Sequence, residues 1–359
     1  MRQVLSGPSP GPAKGLGDVA PRDRMRKMAP RRRQSNGLES VPVVLRRLLM
    51  PLLGLLGLVL LPGPAAAGQS LAEAVRQLDA KYLDVPEVAG IDNAPRIEAG
   101  GGEEAAEPTP QEISQGPVKA TLTYVESTGE DGSVTRNPTV TVFVDDREVA
   151  KIETDGSGSD DPPVSVQIAE LDPSNPHPEV VVSFYTGGAH CCSDTSVILS
   201  NADGTAWTSV VVGDFDGGPM LAVDLDGDGR YEFETRDEAF LYTFACYACS
   251  ETPLDVLAVE NGAVKNVSDD PRFRPAHEAW LKNMIGNVPE DDSNGFLAGY
   301  VGEKIRLGEG KSAWELMLAH YDKDSDWGLE TCDRELDENG ECLGKMIKLT
   351  LSRRARTDA

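Results

Sequence analysis

The sequence predicts a mainly β protein, built of short antiparallel blade-like sheets with a small C-terminal α-helical region. Three observations carry that prediction. Gly (36) and Pro (25) make up about a sixth of the 359 residues and only 6% are aromatic, a composition that favours short strands and turns over long helices. Between Val118 and Val267, apolar and β-branched runs alternate with breaks at Gly, Asp or Pro. After Pro271 the apolar period shifts from two to that of a helix.

Residues 1–67 read as an N-terminal extension and signal peptide. The 14-residue run Leu48–Leu61 follows Arg46 and Arg47 and precedes Pro62-Gly-Pro-Ala-Ala-Ala67-Gly68, the basic, apolar and small-residue order of an export signal. Broken by Pro51, it is short of the roughly 20 residues that a bilayer span needs, so no stable membrane span is expected after cleavage. The long basic stretch before it is either an extended n-region or a sign of a start at Met25, Met28 or Met50. Residues 68–84 hold one short helix with Leu71, Ala74, Val75, Leu78 and Tyr82 on a common face, and 85–117, rich in Gly, Glu and Pro, read as a disordered acidic linker. The β domain spans 118–270; within it, 139–144 and 148–152 form a hairpin across Asp145-Asp146. The region 271–359 reads as a helix over 276–285, a helical hairpin over 294–307 and 311–321, and a Cys-containing tail ending in Arg353, Arg354 and Arg356.

The first 67 residues carry 11 basic and 3 acidic side chains, and the remaining 292 carry 23 basic and 56 acidic ones. So acidic a surface repels phosphate backbones and excludes nucleic acid as a partner, but it attracts divalent cations.

Two stretches overlay: Ile168–Val182 and Leu221–Thr235, each a strand, an acidic turn and a second strand that starts on a Glu. Downstream, Cys192-Ser-Asp-Thr195 matches Cys249-Ser-Glu-Thr252. The second copy holds Asp224-Leu-Asp226-Gly-Asp228-Gly-Arg230-Tyr-Glu232. Calcium takes six or more hard oxygens, and carboxylates at alternate positions of a glycine-closed turn supply them. Asp224, Asp226, Asp228 and Glu232 would give side-chain oxygens and Arg230 its backbone carbonyl. A weaker candidate cation site is Asp322-Lys-Asp324-Ser-Asp326, which has Trp327 where the turn glycine belongs.

These residues resemble the integrin-type FG-GAP or VCBS β-propeller repeats, in which an Asp-x-Asp-x-Asp-Gly loop joins two strands and binds calcium. The resemblance covers Val164 to Val267. In the first copy Glu170, Asp172 and Glu179 remain while Pro173 and Pro176 break the loop. It implies a partial β-propeller-like arrangement of FG-GAP-type units, not a closed propeller, because 118–268 supply about three blades and closure needs at least four. The Thr186–Cys192 segment resembles one found in exported bacterial proteins, and implies no activity.

All six cysteines, Cys191, Cys192, Cys246, Cys249, Cys332 and Cys342, follow the export signal, which favours disulfides. Cys332 and Cys342 are expected to pair locally; the pairing of the other four is open, with staples between sheets as one reading. His190 beside them leaves a soft-metal (zinc or copper) site or thiol redox chemistry as alternatives. No nucleophile elbow, phosphate loop or distinguishable acid pair is present. The sequence thus predicts a periplasmic or secreted, non-enzymatic module with structural calcium and a protein or glycan ligand. N-terminal sequencing of the exported protein should give Gly68 as the first residue.

Overall fold

The computed structural model describes residues 69–350 except 89, 102–108, 130–131, 155–161, 188–190, 292, 333 and 335–343. The export signal, His190, Cys342 and the basic C-terminal run lie outside the described residues. Twelve of the described strands form three open antiparallel sheets, which four helices and a C-terminal hairpin accompany.

Helix α1 (Leu71–Leu78) starts at Ser70, whose hydroxyl accepts from the Glu73 N–H and caps the first turn. After it, the described part of 85–117 is not all the linker that composition suggests. They supply β1 (Arg96–Ala99) and β2 (Gln111–Gln115). An edge strand needs only free backbone partners and one inward apolar residue, here Ile97, so composition understates it.

The first sheet is the meander β2-β3-β4-β5, with β3 (Val118–Thr128), β4 (Val134–Val144) and β5 (Arg147–Glu153). The expected hairpin is there: Asp145 and Asp146 both take positive φ (49° and 59°), the backbone that matches the twist of a two-residue hairpin turn. The second sheet has the order β1-β6-β7-β8-β9, with β6 (Val164–Ala169), β7 (Glu179–Tyr185), β8 (Cys191–Ser200) and β9 (Trp207–Asp216). The third comprises β10 (Phe233–Arg236), β11 (Leu254–Glu260) and β12 (Ala263–Asn266).

The sheets stack face to face. Val118, Ala120 and Leu122 of β3 and Val140 and Val142 of β4 pack on Val166, Ile168, Val180 and Val182 of the second sheet. Its opposite face, through Ala169, Val181, Val197 and Leu199, packs on Phe233 and Val259 of the third. With both faces covered, β7 reads as the unbroken apolar run Val180-Val-Val182, and each buried valine contributes about 1.5–3 kcal/mol.

Helices α2 (Arg274–Gly286), α3 (Ser293–Arg306) and α4 (Gly310–His320) follow, at the places the helical period indicates. Phe273, Ala276 and Trp280 close over Leu254 and Val256 of the third sheet. The apolar core of the helices gathers α1, α2, α3 and α4 around Tyr300, Phe296 and Leu281. The segment 245–253 lies directly on α3, which presents glycines there. A Cβ at Gly295 would stand 2.3 Å from the Cys249 carbonyl oxygen, one at Gly299 2.3 Å from that of Glu251, and one at Gly302 2.6 Å from Pro253 Cγ. The tail is not irregular: β13 (Gly328–Cys332) and β14 (Met346–Thr350) pair antiparallel.

Two consecutive residues of α3 are fully buried and ionisable. Lys304 Nζ pairs with Asp79 and with Glu309 (2.6 Å), and the Tyr300 hydroxyl donates to Asp79. Glu303 Oε2 accepts from the Leu254 N–H (2.9 Å), and its Oε1 is 2.7 Å from His277 Nδ1. His277 Nε2 donates to the Ser268 carbonyl at 2.9 Å. Removing one partner of a buried pair strands the other's charge away from water. Lys304→Met should therefore lower stability by about 3–5 kcal/mol in chemical denaturation. Lys151→Met, whose exposed ammonium pairs with Glu153 on the surface, should cost far less in the same measurement.

Candidate metal centre

The Asp loop joins residue 223 to β10, and its counterpart joins β6 to β7. The backbone places them at equivalent points: Ala169 pairs with Glu179, and Val223 bridges to Glu232. Glu170 then corresponds to Asp224, Leu171 to Leu225 and Asp172 to Asp226. The leading segment serves both, since Ile91 bridges to Asp224 and β1 pairs with β6. In each copy the Glu that opens the second strand turns its carboxylate back onto the loop. Glu179 Oε2 accepts from the Leu171 (2.7 Å) and Asp172 (3.1 Å) N–H groups, and Glu232 Oε2 from that of Leu225 (3.2 Å).

Beyond that shared bond the loops differ. In the first, protein donors answer the acids: Asn175 Nδ2 reaches Glu179 Oε1 at 2.6 Å, and the Gly262 N–H reaches Asp172 Oδ2 at 2.6 Å. In the second, Asp224 is buried and organises the turn: its Oδ1 accepts from the Gly227 (2.7 Å) and Asp228 (3.1 Å) N–H groups, and its Oδ2 from that of Gly229 (3.0 Å). Gly227 and Gly229 have φ of 79° and 90°, which only glycine adopts without strain. Asp226 Oδ1 accepts from the Asp228 N–H and Asp228 Oδ1 from that of Arg230.

The outcome is one cluster: an oxygen from each of Asp224, Asp226 and Asp228 lies within 4.8 Å of the others. Glu232 is outside that trio, and burial, with the three aspartates beside it, pushes its carboxyl up to about 7. A cation from elsewhere in the chain faces the loop. Arg272 Nη1 is 3.3 Å from Asp226 Oδ2 and from Asp228 Oδ2, while its Nε holds Asp270 at 3.1 Å. Arg272 was not legible as part of the site, being 44 residues past Asp228 with no motif around it.

The second candidate does not assemble. Asp322, Asp324 and Asp326 are exposed and do not converge as the first trio does; Asp322 Oδ1 instead accepts from the Asp324 N–H. Lacking the glycine that lets a tight turn fold inward, the segment opens toward solvent.

Staples between sheets are also not what Cys246 and Cys249 make. They bond to each other across a 3-10 turn, and Cys192 is separately disulfide-bonded. Oxidised sulfurs present no thiolate, so Cys192, Cys246 and Cys249 offer no soft-metal ligand in this state. The other histidines pack: His177 stacks on Trp207, and His277 belongs to the Glu303 network. At the far end of β7 from the loops, a groove of about 400 Å³ is lined by Glu153, Phe184, Tyr185 and Asp194 among others.

A family model described as the sll0997 C-terminal domain matches residues 277–350. The chain is 40% identical over 239 residues to the probable thylakoid lumen protein sll0997 of Synechocystis sp., a match that covers 65% of this chain and 69% of that one. It is 32% identical over 214 residues to uncharacterized protein y4bJ of Sinorhizobium fredii, covering 58% of this chain but only 34% of that protein. No solved structure matches. Similarity to a probable thylakoid lumen protein suggests an exported chain, and among the described residues no helix is long and apolar enough to cross a membrane.

Burial pushes Glu179 up to about 7, and its accepted hydrogen bonds pull it back only in part. The folded chain thus keeps a proton on Glu179 from the ordinary range near 4.5 up to about 7. That contribution to stability is complete below about 4.5 and is lost as pH rises through about 7. In denaturation series across this window, the wild type should lose stability relative to Glu179→Gln, at no more than about 1.4 kcal/mol per pH unit. Parallel curves for the two proteins would assign Glu179 an ordinary acidity.

Proposed function

The chain belongs to the family of the Synechocystis lumenal protein sll0997, and from that premise we propose an exported, non-enzymatic binding module whose Asp224–Glu232 loop holds a structural calcium ion. The observation that carries the proposal is the contrast between the two repeat-related loops. Where the first has Asn175 on Glu179 and the Gly262 N–H on Asp172, the second gathers three carboxylates into one cluster, and among the described residues the cation that faces them is the Arg272 guanidinium, 33% exposed. Carboxylates this close repel one another unless a cation lies among them. The donor set fits a hard divalent ion: all oxygen, on a loop whose glycines give the sharp turn. Calcium would take the Asp226 and Asp228 oxygens that Arg272 touches, leaving Arg272 its bond to Asp270. Arg230 by its carbonyl and Glu232 by its carboxylate complete the proposed ligand set.

The resemblance to FG-GAP repeats supports the same assignment. Calcium here fixes a connection between strands and has no reaction to serve. The exposed surfaces beside it, including the groove at Tyr185, are where a protein or glycan ligand would bind.

Metal-free exported protein should take up about one calcium per chain by titration calorimetry and unfold at a higher temperature with calcium than without. Asp226→Asn keeps an acceptor for the Asp228 N–H, so it should stay folded while its affinity falls at least about tenfold, the loss of one charged ligand. A wild type that unfolds at the same temperature with and without calcium would remove the proposal.

A further inference from the structure

We propose that Cys246–Cys249 is an exchangeable disulfide that accepts an electron pair from the dithiol of a partner peptide or protein. This goes beyond the calcium reading and does not depend on it. The bond is not needed to hold its own turn. The Cys249 N–H donates to the Cys246 carbonyl (3.0 Å), the Ser250 N–H to that of Tyr247 (3.1 Å), and the Ser250 hydroxyl to that of Cys246 (2.9 Å). Packing of this segment on Gly295 of α3 fixes its position independently of the sulfurs. Only two residues separate the cysteines, and the stabilisation a cross-link gives through the unfolded chain grows with the length of loop closed. A bond that short stabilises little and can open without unfolding its surroundings.

The surroundings suit exchange. Both cysteines are partly exposed, so a thiolate can approach. The first turn of α3 lies against the main chain of Cys249 and the Ala245 side chain, so the turn keeps its place when the sulfurs separate. Beside the turn, Tyr242 is held at φ 56°, an outlier for so bulky a residue, and its ring packs tilted against that of Tyr247, with centroids 5.4 Å apart. Tyr247 in turn donates to Asp216 at the end of β9. Strain of that kind persists only where the surroundings impose it. Here it leaves an aromatic face, with Tyr242 54% exposed, next to the disulfide.

In the step, one partner thiolate attacks a sulfur of the pair, forming a mixed disulfide and releasing the other cysteine as a thiolate. The second partner thiol then attacks the mixed disulfide. The partner leaves as a disulfide, and its two protons end on Cys246 and Cys249. Two electrons pass to the protein, and no further oxidant takes part.

The test titrates the folded full chain with reduced dithiothreitol, alkylates it, and counts labelled cysteines by peptide mass spectrometry. Circular dichroism is followed in parallel. Cys246 and Cys249 should label at a dithiothreitol concentration at least tenfold below that needed to label Cys192, with the dichroism unchanged. A fluorescent dithiol peptide should be oxidised by the wild type, one equivalent per chain, and not by Cys246→Ser/Cys249→Ser. That double variant should unfold within a few degrees of the wild type. Labelling of the pair only together with Cys192 or with unfolding, or a folded wild type inert to the peptide, would overturn the proposal. Calcium binding is unaffected by either result, so the two readings fail separately.

Discussion

The constraint on which the rest of the molecule depends is the pair of fully buried ionisable side chains at Glu303 and Lys304, adjacent on one helix. Removing an ion from water costs several kcal/mol, so each must find its partners or the helix cannot be buried at all. Lys304 finds Asp79 and Glu309, and Glu303 finds His277 and the first N–H of β11. The first set fastens the segment after α1 to the C-terminal helices. The second fastens those helices to the third sheet. Glu309 shows how strongly the set is polarised: burial opposes its charge, yet bonds from Lys304, Lys81 and Tyr82 hold its carboxyl down to about 2. Apolar packing alone tolerates a helix slid by a turn. These ions do not, because every other register leaves a charge unpaired.

Periodicity made the broad architecture legible. The β4–β5 hairpin, the three later helices and the Asp loop are written in local patterns: alternation, helical spacing, and carboxylates beside glycine. What was not legible depends on partners distant in sequence. Strand β1 lies in a stretch whose composition is that of a linker, and it forms because β6 offers an unpaired edge. Arg272 joins the Asp loop from the start of the helical region, and Asp79 becomes a core residue only because Lys304 arrives from 225 positions away. Cysteine spacing was legible, but its meaning was not, since a local turn and a staple between sheets use the same residues.

The two acidic loops are alternative answers to one electrostatic problem. Both strand–turn–strand units bring acids to the same point of the backbone, and both let a Glu receive an N–H from the leucine of the turn. One copy then recruits amide donors for Glu179 and Asp172. The other keeps its negative charge concentrated, with the Arg272 guanidinium as its nearest relief. Divergence between the two copies thus left the clustered carboxylates in the second loop and not in the first.

The glycines of α3 have a consequence for what counts as a separable part. Because Gly295, Gly299 and Gly302 put the helix backbone against the backbone of 245–253, the two surfaces are complementary at a range no side chain could fill. The region shared with the family's C-terminal domain begins at residue 277, inside α2, and so lies on one side of that contact only. Cut there, it would carry a bare glycine stripe and a lysine without Asp79. The stretch matched by that family model therefore depends for its packing on main chain that lies outside it.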